Sequence, residues 1–187
     1  MRVFLAIEID DYIKNKIDET QHIIRENNSA NIKYVEKENI HLTIKFFGEI
    51  NDKQIGNISE IVQSTVEKYE EYSLKVVNIG AFPNIYRPRV IWTAVKDKNV
   101  SMNLIKELDE KFNKIGFKKE KDYVPHITIG RVKDIADKDV LTNTLKSLKK
   151  EYYGKMKVEK ICLKSSRLTP EGPIYENIRE FKLGDKL

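Results

Sequence analysis

Aliphatic residues alternate through the stretch from Val3 to Ile9, a pattern that predicts a strand. Ile13, Ile17 and Ile24 then share one face of a helix, with Asp10 or Asp11 as its cap and a polar run from Asn27 to Asn31 as its stop. A short extended piece, Ile32 to Val35, precedes a strand with the sequence HLTIKFFG, from His41 to Gly48. Asn51 or Asp52 opens a second helix whose apolar stripe runs Ile55, Ile58, Val62 and Tyr69. Two more strands, Leu74 to Ile79 and Val90 to Val95, flank the loop AFPNIYRPR.

The rest of the chain repeats this order. Val100, Leu104, Leu108, Phe112 and Ile115 predict a helix with Gly116 as its C-terminal stop. A basic loop leads to the strand HITIGR, beginning at His126, and Asp137 caps a helix through Leu141, Leu145 and Leu148. From Met156 the chain reads as a strand, a TPEGP turn at Pro170 to Pro173, and a closing strand to Phe181. Helix, linker, His-x-Thr strand and helix thus occur twice, with no low-complexity linker between them. The expected architecture is one α+β unit over 1–187, built as two similar lobes rather than two independent domains.

Composition narrows the class. With 40% hydrophobic and 34% charged residues, the chain is neither disordered nor a membrane protein, and no run approaches the ~20 apolar residues of a spanning helix. The apolar stretch at the start is too short for a signal peptide and ends in acids. A single cysteine, Cys162, excludes an intrachain disulfide and a multi-cysteine zinc site, and reads as inert. A soluble cytoplasmic protein is expected. The net charge of +5 is uneven: residues 1–93 hold 12 basic and 14 acidic side chains, the remainder 22 and 15. That asymmetry suits a polyanion such as RNA, and suits a solvated lysine-rich face equally well.

The histidines change the picture. Two of the three begin the same tetrad, His41-Leu42-Thr43-Ile44 and His126-Ile127-Thr128-Ile129, and chance gives such a pair with a probability on the order of one in ten thousand. Residues i and i+2 of a strand share a face. His41 and Thr43 should therefore face one side while Leu42, Ile44 and Phe46 anchor the strand, and His126 and Thr128 should repeat this over Ile127 and Ile129. Two imidazoles in one cleft suit in-line displacement at phosphorus: the neutral one takes a proton from water and the protonated one gives a proton to the leaving oxygen. The threonine hydroxyls can donate to non-bridging phosphate oxygens, and Lys45 or Arg131 can offset their charge. A two-histidine metal site is the competing reading, but neither tetrad carries an acid or cysteine to complete it. His22, inside the first helix without a threonine partner, reads as structural.

The twin tetrads resemble the signature of the two-histidine phosphoesterase superfamily. Their context (MRVFLAIEI, ENIHLTIKFFGEI, GAFPNIYRPRVIW, VPHITIGRVK and SSRLTPEGPIYE) is similar to the bacterial and archaeal RNA 2′,3′-cyclic phosphodiesterases, first named 2′–5′ RNA ligases. The resemblance implies a bilobal fold with a pseudo-twofold axis and both motifs in a central cleft. It also implies hydrolysis of RNA 2′,3′-cyclic phosphate to a 2′-phosphate, without metal or other cofactor. By that assignment His41 is the proton donor to the leaving 3′ oxygen and His126 the proton acceptor from water; the near-symmetric motifs themselves leave the polarity open. Arg131 matches a phosphate-binding arginine, although alternation puts it opposite His126 unless Gly130 admits a bulge. Phe47 shares the motif face by the same alternation and can stack on a base, or serve as core. Arg87, Arg89, Trp92, Arg167 and Tyr175 match family-typical positions, with Tyr175 a candidate substrate contact. The expected partner is RNA with a 2′,3′-cyclic phosphate end, met by a monomer away from any membrane. Two rivals remain: a single-stranded RNA-binding module using the basic second half with Phe47 and Tyr86, and the same site run backwards as a ligase, which abundant water opposes.

Overall fold

The alternation after Met1 becomes β1 (Arg2–Glu8), whose Leu5 and Ala6 are wholly buried because it lies inside a sheet rather than at its edge. The computed structural model describes residues 1–184. After β1 come α1 (Asp11–Glu26), β2 (Ala30–Tyr34), a 3₁₀ turn at Lys37–Asn39, β3 (His41–Glu49), α2 (Asp52–Val66), β4 (Tyr72–Phe82) and β5 (Val90–Lys96). The remainder is α3 (Val100–Lys114), β6 (His126–Ile135), α4 (Lys138–Ser147), β7 (Tyr152–Val158), β8 (Lys160–Thr169) and β9 (Gly172–Lys182). One sheet has the order β3-β1-β8-β9 and the other β2-β6-β5-β4-β7, with antiparallel pairing throughout. This is the bilobal α+β architecture expected.

Local chemistry explains the helix ends. Asn51 and Gln54 form a reciprocal capping box at α2, each side chain bonded to the other's backbone N–H at 3.0 Å. The Asp137 carboxylate accepts from Val140 N–H at 3.1 Å at α4, and Gly116 ends α3 with φ +101°. Asp10 precedes α1 without a side-chain cap bond. Three expectations need correction. α2 stops at Val66, so Tyr69 lies beyond it, where its hydroxyl donates to Glu107 at 2.8 Å. Ile115 falls past the end of α3 and is exposed. The run near Met156 is two strands, and β7 crosses to pair with β4 in the other sheet.

The lobes do not coincide with the halves of the sequence. α1, which precedes the first motif, packs on the sheet that carries the second. Its Thr20 hydroxyl meets the Tyr153 hydroxyl at 2.9 Å, and its Gln21 amide donates to the Val35 and Ile129 carbonyls at 2.9 Å each. α3, which precedes the second motif, packs on the sheet of the first, with Phe112 edge-on to Phe47 at 4.9 Å. Each motif is therefore held by a helix from the opposite half, and neither half could bury its apolar helix stripe alone. Ile13, Ile17, Leu104, Leu108 and Phe112 are fully buried, each stabilising by roughly 1.5–3 kcal/mol. Among the described residues no helix is long and apolar enough to cross a membrane.

Candidate active site

Both motif strands break their alternation at the same place. In the pairing of β1 with β3, Ala6 faces Thr43 and Leu5 faces Lys45, so Ile44 is an extra residue. In the pairing of β5 with β6, Trp92 faces Thr128 and Ile91 faces Gly130, so Ile129 is the extra residue. The fourth position of each tetrad is thus a bulge that turns two successive side chains inward and re-aims everything after it. Ile44 and Lys45 are both buried, as are Ile129 and Gly130. Beyond the bulges, Phe46 and Arg131 occupy matching exposed positions on the histidine faces of β3 and β6. The bulge admitted by Gly130 is present, and a Cβ there would lie 2.8 Å from the Ile32 side chain.

Three expectations about β3 change for this reason. Phe46 does not anchor the strand: it is 61% exposed and sits beside Phe4, ring centroids 5.8 Å apart. Phe47 leaves the motif face and is core, against Phe112 and Phe117. Lys45 also turns inward, to 3% side-chain exposure, and donates to Asp109 Oδ1 at 2.6 Å, the Lys118 carbonyl at 2.6 Å and Glu120 Oε1 at 2.9 Å. With its donors committed there, it does not face a substrate phosphate.

The two histidines are mounted alike. His41 Nδ1 donates to the Asn39 carbonyl at 2.6 Å and His126 Nδ1 to the Val124 carbonyl at 2.9 Å. A carbonyl only accepts, so each Nδ1 carries the proton, and the neutral ring presents a bare Nε2. His41 Nε2 meets the Thr43 hydroxyl at 2.8 Å; among the described residues no such bond joins His126 to Thr128. Aromatic rings flank both imidazoles. Phe4 lies 5.0 Å from His41 and Tyr175 stands edge-on to it at 5.6 Å, while Phe82 is edge-on to His126 at 5.1 Å. Burial under Phe4 and Tyr175 lowers the His41 pKa; the Asn39 carbonyl raises it, and the charges of Lys164 and Lys14 lower it further.

β3 and β6 touch although they belong to different sheets. The Arg131 charge acts on the Tyr175 hydroxyl: burial raises that hydroxyl's pKa and the guanidinium pulls it back. His41, Thr43, Phe46 and Tyr175 thus stand on one sheet and His126, Thr128 and Arg131 on the other, and the Arg131 charge reaches Tyr175 between them. Arg87, Arg89 and Arg167 are exposed, and the Trp92 ring packs on Gly80. Tyr86 is exposed, with the Lys146 ammonium 5.2 Å above its ring. His22 lies on the outer face of α1 near Asp18 and Arg25. Cys162 is buried, and burial pushes its thiol up to about 11, a non-nucleophilic state at neutral pH. Pattern reading missed Phe46, Phe4 and Lys164. Gly48 (φ +75°) two residues beyond Phe46, and a lysine embedded in IKFF, were the available signs of a broken alternation. Among the described residues no group of three or more His, Cys, Asp or Glu side chains is arranged to hold a metal ion.

Comparison with known proteins bears on the family and the fold. The family model described as LigT-like phosphoesterase matches residues 7–92 and 97–175. A curated protein of Methanocaldococcus jannaschii named RNA 2′,3′-cyclic phosphodiesterase is 41% identical over 97% of this chain and 100% of its own length. One of the same name from Methanothermobacter thermautotrophicus is 37% identical over 98% of this chain and 99% of its own. Among solved structures, a Thermus thermophilus protein superposes with a TM-score of 0.82 at 22% identity, each chain covered completely. The E. coli LigT complex with 3′-AMP gives 0.76 at 19% identity, with 97% of each chain covered. Those two likenesses speak for the fold.

Proposed function

This chain belongs to the LigT-like phosphoesterase family, and on that premise we propose that it hydrolyses RNA 2′,3′-cyclic phosphate ends to 2′-phosphates by paired histidine acid–base chemistry, without a metal ion. The observation that carries the reading is the matched mounting of the imidazoles, each with Nδ1 on a backbone carbonyl and Nε2 turned away from it. Water attacks phosphorus while His126 Nε2 accepts its proton. The phosphorus–O3′ bond breaks and O3′ takes a proton from protonated His41, leaving the phosphate on O2′. Thr43, Thr128 and Arg131 donate to the non-bridging oxygens as the trigonal-bipyramidal charge develops. A phosphate anion at Nε2 favours the His41 imidazolium and so opposes the lowering that burial causes. The partner is an RNA end, met by a monomer in the cytoplasm.

The assay is direct. Incubation with 2′,3′-cyclic phosphate substrates in the presence of a chelator should give undiminished turnover and a 2′-phosphate product. A 3′-phosphate product would assign the wrong leaving oxygen, and loss of turnover on chelation would put a metal in the reaction. RNA binding without turnover would favour a binding module, and net ligation a reversed reaction.

Phe46, exposed on the motif face, is the base-stacking residue in this reading, in place of Phe47. Phe46→Ala should raise KM roughly tenfold with little change in kcat, because stacking acts on ground and transition states alike. Phe47→Ala should instead cost about 3–5 kcal/mol of stability through the cavity left beside Phe112 and Phe117. Steady-state kinetics and denaturant unfolding of the two variants separate the roles.

A further inference from the structure

A recess of about 230 Å³ opens beside His41 and is unused by the scheme above. Its walls come from five elements: Glu8 at the end of β1, Lys14 in the first turns of α1, Glu38 and Asn39 in the 3₁₀ turn, Lys164 on β8 and Tyr175 on β9. Register places Lys164 on the histidine side of its sheet. Phe4 pairs with both Phe46 and Lys164, and side chains paired across antiparallel strands share a face. The lysine charges reach the motif, since both act on His41. Lys164 Nζ is 2.5 Å from Glu8 Oε1, whereas Lys14 Nζ meets a backbone carbonyl, that of Glu38, at 3.3 Å.

The direction of the reaction says what should lie here; this step rests on the polarity proposed above. In-line displacement puts the attacking water on the His126 side and the ribose, whose O3′ leaves, on the His41 side. Everything attached to that ribose, including the 5′ linkage to the rest of the RNA, must therefore exit past the lobe that holds His41. A recess sharing His41 and Tyr175 with the site, and bearing the ammonium groups of Lys14 and Lys164 beside the carboxylates of Glu8 and Glu38, lies on that exit. We infer that this recess is a subsite for the phosphodiester linking the terminal nucleotide to the one before it, with Lys14 as its principal cation and Lys164 exchanging between Glu8 and the phosphate. The site lets the protein prefer an RNA end over a free cyclic mononucleotide. Glu8 sets the strength of that preference by competing for Lys164.

The test compares two substrates, a nucleoside 2′,3′-cyclic phosphate and a dinucleotide ending in the same group, by the ratio of their kcat/KM values. The unaltered chain should favour the dinucleotide. Lys14→Ala should lower that ratio about tenfold, the loss of one charge-assisted contact. It should also reduce the slope of log kcat/KM against log salt by about 0.7 for the dinucleotide. Glu8→Gln, which releases Lys164, should raise the ratio. A merely structural recess would depress both substrates together in both variants and leave the ratio and the salt slope unmoved, which overturns the subsite. No preference in the unaltered chain overturns it as well. Failure of the unaltered chain to turn over either substrate overturns the phosphodiesterase reading, and the subsite with it.

Discussion

His41→Ala and His126→Ala should each lower kcat for a 2′,3′-cyclic phosphate end by roughly 10²–10⁴-fold, the contribution of one positioned acid or base. The two losses should not multiply, because the proposed in-line step uses both groups and the double variant would have little left to lose. Both side chains are part-exposed and bonded to carbonyls of their own strand approaches, so the variants keep the fold, and thermal melts should show it. The pH–rate profile of the unaltered chain should be bell-shaped, as one acid and one base acting in the same step require. Each single variant should lose one of the two titrations. Burial keeps His41 below the ordinary imidazole range in the free protein, whereas a bound phosphate favours its charged form. Binding of inorganic phosphate near neutral pH should therefore draw a proton from solution. Calorimetry in two buffers of different ionisation enthalpy measures that uptake, and His41→Ala should abolish it.

The elements were legible in the sequence because their stripes are clean. Ile13, Ile17 and Ile24 face inward as spaced, and the Asn51 and Asp137 caps stand where a polar residue meets an apolar run. The histidine pair was legible for another reason: a repeated tetrad needs no geometry to be noticed. Faces beyond the two tetrads were not legible. Period-two reasoning assumes an unbroken ladder, and one extra residue at Ile44 moves Lys45 and Phe47 inward and Phe46 outward. The same slip at Ile129 turns Arg131 to the exposed histidine face of β6, so a single error in one strand is a rescue in the other. Sequence order also misled about partnership. Each motif and the helix preceding it in the chain belong to different lobes, and only long-range contacts such as Gln21 with Ile129 reveal the exchange.

That exchange joins Lys45 of β3 to α3 from the other half of the chain, and its ion pair carries the other large effect. Asp109, on α3, receives Lys45 Nζ on one oxygen, and the Glu120 N–H at 2.9 Å and the Tyr123 hydroxyl at 2.8 Å on the other. Burial works to raise this carboxyl's pKa, but the hydrogen bonds from Lys45, Glu120 and Tyr123 win and hold it below the usual range. Its stabilisation is therefore present above the unfolded carboxyl pKa of ~3.9 and is lost as pH falls through the lower folded value. Asp109→Ala leaves a buried ammonium facing the carboxylate of Glu120, whose side chain is 53% exposed. That change should cost about 3–5 kcal/mol at neutral pH by denaturant unfolding, and should flatten the acid limb of stability. Desolvating the pair offsets most of its attraction, so Lys45→Met combined with Asp109→Leu should recover much of what Asp109→Ala loses. Recovery of stability need not restore activity. Lys45 and Asp109 together hold residues 118–123, the approach to His126, so the double variant should fold and still show a reduced kcat. A double variant as active as the unaltered chain would show that the clasp serves stability alone.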